Sequence, residues 1–136
     1  MTINKDVVLW DNGKDRLCLF SVPTEQQYRY IEGIPCISFG VSYENAGFKG
    51  YDIFTLFDRC YMDTISAIDK AYYCVNGTFH IDDSGADTDG FLNFEMNNGR
   101  LIVKGQLGAS FSSHSLTFAF EADQTLVGAL LSAITV

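Results

Sequence analysis

The chain has 136 residues, enough for one domain of ordinary size, and its 47% hydrophobic and 14% aromatic content argues against intrinsic disorder. Nine Lys and Arg against 17 Asp and Glu give a formal charge of −8. Nucleic acids and anionic membranes are gripped by clustered cations, and here the cations are scattered, with none between Lys70 and Arg100, so neither partner is expected.

Val7 to Trp10 reads as a strand, Asp11-Asn12-Gly13-Lys14 as a tight turn, and Arg16 to Val22 as the returning strand. Pro23 to Gly33 follows as a polar connection carrying Tyr28, Arg29 and Tyr30. A third strand spans Cys36 to Tyr43, with Ile37, Phe39, Val41 and Tyr43 alternating against Cys36, Ser38, Gly40 and Ser42. From Asp52 the apolar period lengthens: Ile53, Phe57, Cys60, Tyr61, Ile65, Ile68, Tyr72 and Val75 fall on one helical stripe. This predicts a long helix with Asp52 as N-cap and Gly77 just past its end. A rival reading stops the helix near Lys70 and folds Tyr72–Val75 and Thr78–Ile81 into a hairpin around Asn76-Gly77. The persistence of the helical period through Val75 favours the first.

The second half is strand-rich. Thr78 to Ile81 is one strand, and Asp82 to Gly90 is an acidic loop. Phe91 to Met96 and Arg100 to Leu107 flank the turn Asn97-Asn98-Gly99. Gly108 to Ser115 is a loop, Leu116 to Glu121 alternates again, and Asp123 caps a final helix with Leu126, Val127, Leu130, Leu131 and Ile134 inward. The expected fold is α+β over residues 1–136 as a single domain. It has one antiparallel sheet of six or seven strands, with a long central helix and a C-terminal helix packed on one face.

The N-terminus shows no apolar stretch of signal-peptide length, and the apolar run from Leu126 to Val136 falls well short of the roughly 20 residues of a membrane span. Cys18, Cys36, Cys60 and Cys74 form no CxxC pair and lie among apolar neighbours. They read as reduced, buried thiols of a cytoplasmic protein rather than as two disulfides of an exported one.

Few constellations suggest chemistry. His80 reads as a strand residue and His114 as part of a surface loop, Phe111-Ser112-Ser113-His114-Ser115, with no GxSxG elbow. Asp82, Asp83, Asp87 and Asp89 place four carboxylates close together, as a hard cation would want. The calcium-loop pattern fails, because counting from Asp87 the sixth position is Leu92 rather than Gly. Gly105-Gln106-Leu107-Gly108 lacks the residues of a phosphate loop, and nothing marks a catalytic carboxylate pair. No enzyme, metal or cofactor is expected.

Interaction is the remaining reading. Residues 71–136 hold seven acids and two basic residues, and such a surface would steer a basic partner. Tyr28, Arg29 and Tyr30 supply residue types that often anchor interfaces, with Glu32 beside them; the alternative is that both tyrosines fold back onto the core. The candidate binding residues are therefore Tyr28, Arg29, Tyr30, Glu32, Asp82, Asp83, Asp87 and Asp89.

Gly90-Phe91-Leu92-Asn93-Phe94-Glu95-Met96-Asn97-Asn98-Gly99-Arg100-Leu101-Ile102-Val103-Lys104-Gly105 reads as strand, turn and strand, followed by Leu116-Thr117-Phe118-Ala119-Phe120-Glu121-Ala122-Asp123-Gln124-Thr125-Leu126. A strand entering such a helix, preceded by an acid-rich helix, resembles the WapI-type immunity family and similar small immunity proteins. These are made beside polymorphic or contact-dependent-inhibition toxins in bacteria. The resemblance covers roughly residues 52–136. It implies a non-enzymatic cytoplasmic binder that occludes a cognate toxin domain, often a nuclease with a basic cleft, and it transfers no site residues. The other readings are a small apolar-ligand-binding or carrier domain with its pocket between sheet and helices, and a calcium-dependent module on the acidic loop.

Overall fold

A computed structural model describes residues 6–83 and 89–134. In chain order these form β1 (Val7–Asp11), β2 (Asp15–Phe20), the one-turn helix α1 (Thr24–Gln27), β3 (Tyr28–Ile31), β4 (Ile34–Asn45), β5 (Phe48–Phe57), α2 (Asp58–Cys74), β6 (Gly77–Asp82), β7 (Phe91–Asn97), β8 (Arg100–Leu107), β9 (Leu116–Asp123) and α3 (Gln124–Ile134). The fold is α+β with antiparallel pairing throughout. Its arrangement corrects the expected one: the described residues form nine strands in two sheets, not six or seven in one, and a third helix.

β4 is the spine of the first sheet. β5 pairs along one side of it, from Cys36↔Phe57 to Asn45↔Phe48. On the other side β2 takes Gly40 to Asn45, β3 takes Ile34 to Ile37, and β1 adds to β2. The second sheet is the meander β6-β7-β8-β9. The first hairpin forms as expected, because Asp11 and Asn12 fold their side chains onto the amides of Gly13, Lys14 and Asp15 at 2.7–2.9 Å.

The expected helix from Asp52 is wrong at its start. Residues 52–57 belong to β5, and α2 begins at Asp58 with Phe57 at the N-cap position and no side-chain cap. Ile53 and Phe57 fit a helical period by coincidence. Phe54 and Leu56 fit a period of two, and they are the residues buried in the core. At its other end the helix does run to Cys74, against the hairpin reading, and it stops at Val75, whose φ of 51° is left-handed. The Pro23–Gly33 connection likewise contains α1 and β3.

Strand alternation decides the core. Leu17, Leu19, Phe39, Val41, Tyr43, Phe54 and Leu56 of the first sheet face Phe79, Ile81, Leu92, Phe94, Met96, Leu101, Val103 and Phe120 of the second. α2 lies against β4, β5 and β6, while α3 lies against β1, β9 and α2. Their inward residues are Ile68 and Ala71, and Leu126, Val127, Leu130 and Ile134. Tyr61 Oη donates to the Ile134 carbonyl at 2.7 Å, and Gln124 Nε2 to the Tyr72 carbonyl at 3.0 Å. Asp123 caps α3 by accepting from the Thr125 amide at 2.9 Å. Among the described residues no helix is long and apolar enough to cross a membrane.

At the sheet-to-sheet contact the Tyr43 ring stacks on Phe118, with centroids 4.0 Å apart. Its hydroxyl donates to Asp15 Oδ1 at 2.5 Å, and Asn45 Nδ2 donates to the same oxygen at 2.7 Å. Burial, and then the Asp15 bond, raises the Tyr43 phenol above its ordinary value of 10.0; burial, then Asp58, does the same for Tyr61. A group with a raised folded-state pKa keeps its proton in the fold at pH values where the unfolded chain has lost it. The stability it contributes is full below about pH 10 and is lost as pH rises through the folded value. Urea midpoints should therefore fall on the alkaline side of about pH 10, and less steeply in Tyr43→Phe. Identical alkaline slopes in the two proteins would refute the assignment to Tyr43.

Candidate functional site

β3 turns the tyrosine-bearing connection into a strand edge. Glu32 and Gly33, with φ of 51° and 81°, make the two-residue turn that closes it onto β4 at Ile31↔Ile34. The closing pair of such a hairpin is hydrogen-bonded and the ladder alternates from there. Arg29 and Ile31 thus point their backbone groups at β4, while Tyr28 and Tyr30 point theirs away from the sheet. Pro35 lacks an N–H but sits just beyond the last β5 pair, where none is needed. Among the described residues no strand pairs with the outer edge of β3. Tyr28 is 51% exposed and Tyr30 70%, with Ile34, Arg29 and Glu32 exposed beside them. The structure therefore brings Tyr28, Arg29, Tyr30 and Glu32 together on one free edge.

The acidic candidates part company. Asp87 lies outside the described residues. Asp82 is exposed, with its Oδ2 3.3 Å from His80 Nε2. Asp83 is buried, and its Oδ1 accepts the Thr55 amide at 2.8 Å, occupying an outward-pointing N–H on the free side of β5. Asp89 accepts from the Ser110 amide at 2.8 Å, from the Ser110 hydroxyl, and from Gln106 Nε2 at 2.9 Å. The Ser110 hydroxyl leads the causes that hold its carboxyl below the usual range. Asp52, expected as a helix cap, instead accepts the Gly108 amide at 2.9 Å and joins the first sheet to the loop after β8. Of the carboxylates read as a recognition surface, Asp83 is buried as a fastening between the sheets, while Asp89 stays exposed but is tied to Ser110 and Gln106.

The catalytic and metal alternatives gain nothing. Among the described residues no three His, Cys, Asp or Glu side chains converge as a metal site requires. His114 is exposed in its loop, its amide donating to Ser112 Oγ at 3.1 Å. All four cysteines are free. Cys36 is buried as expected, but Cys60 and Cys74 are exposed, because Tyr61, Ile68 and Tyr72 take the inward positions of α2.

The outer face of the first sheet carries a trough of about 490 Å³ crossed by the rows Val8–Cys18–Ser42–Tyr51 and Arg16–Glu44–Lys49. The register places Tyr51 on the opposite face from Tyr28 and Tyr30.

No family model matches the chain, and no curated protein or solved structure is significantly similar to it.

Proposed function

We propose that the chain is a non-catalytic protein-binding module of the immunity type, which grips a basic toxin domain in the cytoplasm and occludes its working cleft. The observation that supports this most directly is the free edge of β3, where exposed Tyr28 and Tyr30 flank unpaired backbone groups. Tyrosine and arginine are the residues that most often anchor interfaces, and an open strand edge adds main-chain hydrogen bonds. The charge of −8 suits a partner whose own cleft is basic.

The test is co-expression with the domain encoded by the neighbouring reading frame, followed by affinity measurement across salt. A complex should form at low salt and weaken as salt rises. Tyr28→Ala and Tyr30→Ala should each weaken it roughly 10- to 30-fold, as truncated interface tyrosines do. Tyr51→Ala, on the other face and as exposed as Tyr30, should leave it unchanged. Absence of a complex at low salt, or equal losses from all three substitutions, would overturn the proposal.

A further inference from the structure

Among the described residues no strand pairs with the outer edge of β6, and α2 stands beside it. The Asp83 amide donates to the Gly90 carbonyl at 3.0 Å, which sets the phase of the β6–β7 ladder. With the pairs Ile81↔Leu92, Phe79↔Phe94 and Gly77↔Met96 hydrogen-bonded in turn, Thr78, His80 and Asp82 direct their backbone groups away from the sheet. Opposite them Cys60, Asp63, Thr64 and Ala67 form one flank of α2 at i, i+3, i+4 and i+7. Between edge and helix runs a groove of about 410 Å³. Leu56, Ala67 and Phe79 supply its apolar lining and Asp63 and Asp82 its carboxylates, and no Lys or Arg is among the described residues that line it.

We infer that this groove receives an extended segment of a partner polypeptide that carries Lys or Arg, added to β6 as a further strand. The backbone N–H and C=O groups of Thr78, His80 and Asp82 supply the pairing, one strand spacing of about 4.8 Å away. Because side chains alternate along an extended chain, one set rests on the apolar lining while the other reaches solvent and the carboxylates. Two carboxylates, Asp63 and Asp82, the latter with the His80 imidazole 3.3 Å away, favour a basic segment over an acidic one, because no Lys or Arg is among the described residues that line the groove. The inference draws on neither β3 nor the toxin reading.

The probe is a fluorescein-labelled heptapeptide, Thr-Val-Lys-Val-Lys-Val-Thr, with an acidic twin in which Glu replaces Lys and a third version N-methylated at alternate amides. The basic peptide should bind by fluorescence anisotropy, the acidic twin at least roughly tenfold more weakly, and the N-methylated version not at all in one of its two phases. Asp63→Asn and Asp82→Asn should each cost about two- to fivefold, as exposed charge pairs do. Both side chains are exposed, so circular dichroism should show an unchanged fold. A basic peptide ending in a thiopyridyl disulfide should exchange with the Cys60 thiolate, releasing thiopyridone, in preference to Cys74, which is also exposed but lies outside the groove. No binding of the basic peptide, equal binding of its acidic twin, indifference to N-methylation in both phases, or equal labelling of Cys60 and Cys74 would overturn the inference.

Discussion

Tyr43→Ala is expected to lower the unfolding free energy by about 3–5 kcal/mol, the cost of deleting a large core aromatic. The ring is 4% exposed and lies where the two sheets meet, stacked on Phe118 at 4.0 Å and near Phe120 at 5.7 Å. Its loss opens a void between sheets held on both sides by hydrogen-bonded ladders, so the site collapses poorly. It also takes from buried Asp15 the phenol donor, leaving Asn45 Nδ2 as the other side-chain donor to that oxygen. Tyr43→Phe separates the two effects: it keeps the stack and removes the hydroxyl, at about 1–3 kcal/mol. Urea unfolding with an unchanged m-value checks both. A Tyr43→Ala penalty under about 1 kcal/mol would show that the sheets do not depend on this contact.

Gly108→Ala is expected to cost about 3 kcal/mol, and Gly99→Ala only about 1 kcal/mol. Both glycines hold nearly the same left-handed φ, +83° and +82°. A Cβ at Gly99 meets open space, but at Gly108 it falls 2.6 Å from the His114 carbonyl oxygen, a backbone atom that cannot swing aside. The loop must then move, and with it the Gly108 amide that donates to Asp52 across the two sheets. The difference between the two variants isolates the clash from the φ penalty. Equal losses would mean that the loop yields freely.

What could be read from the residues depended on turn chemistry. Asn12-Gly13 and Asn98-Gly99 announce their hairpins, and both form. The hairpins of β4 turn on Glu32-Gly33 and Ala46-Gly47, where Glu32 and Ala46 hold φ of 51° and 48° that such residues seldom adopt. Nothing in the sequence flags them, so β3 was hidden in a polar connection and β5 inside a helical period. Alternation tells which side of a strand is buried, not what covers it, and one sheet is therefore indistinguishable from two. At the candidate site the tyrosines were legible as residue types that often anchor interfaces, but not their exposure or their place together on a strand edge. Asp83 and Asp89 misled for a related reason: a carboxylate that accepts a backbone N–H looks, in sequence, like one that awaits a partner. The groove beside β6 was invisible because Asp63 and Asp82 meet only through the packing of α2.

The layout of the two sheets bears on how the molecule assembles. The first is drawn from residues 7–57 and the second from residues 77–123, each mostly from strands adjacent in the chain. Their ladders close mostly short loops at little entropic penalty, so they are expected to form early in folding. α3 comes after both and lies against β1, at the far end of the described chain. Docking it is the long-range step, and until it happens the side of the core that Leu126, Val127, Leu130 and Ile134 cover stays wet. A nascent or truncated chain that stops short of residue 124 would hold both ladders with that apolar side bare, a species prone to self-association until its last helix arrives.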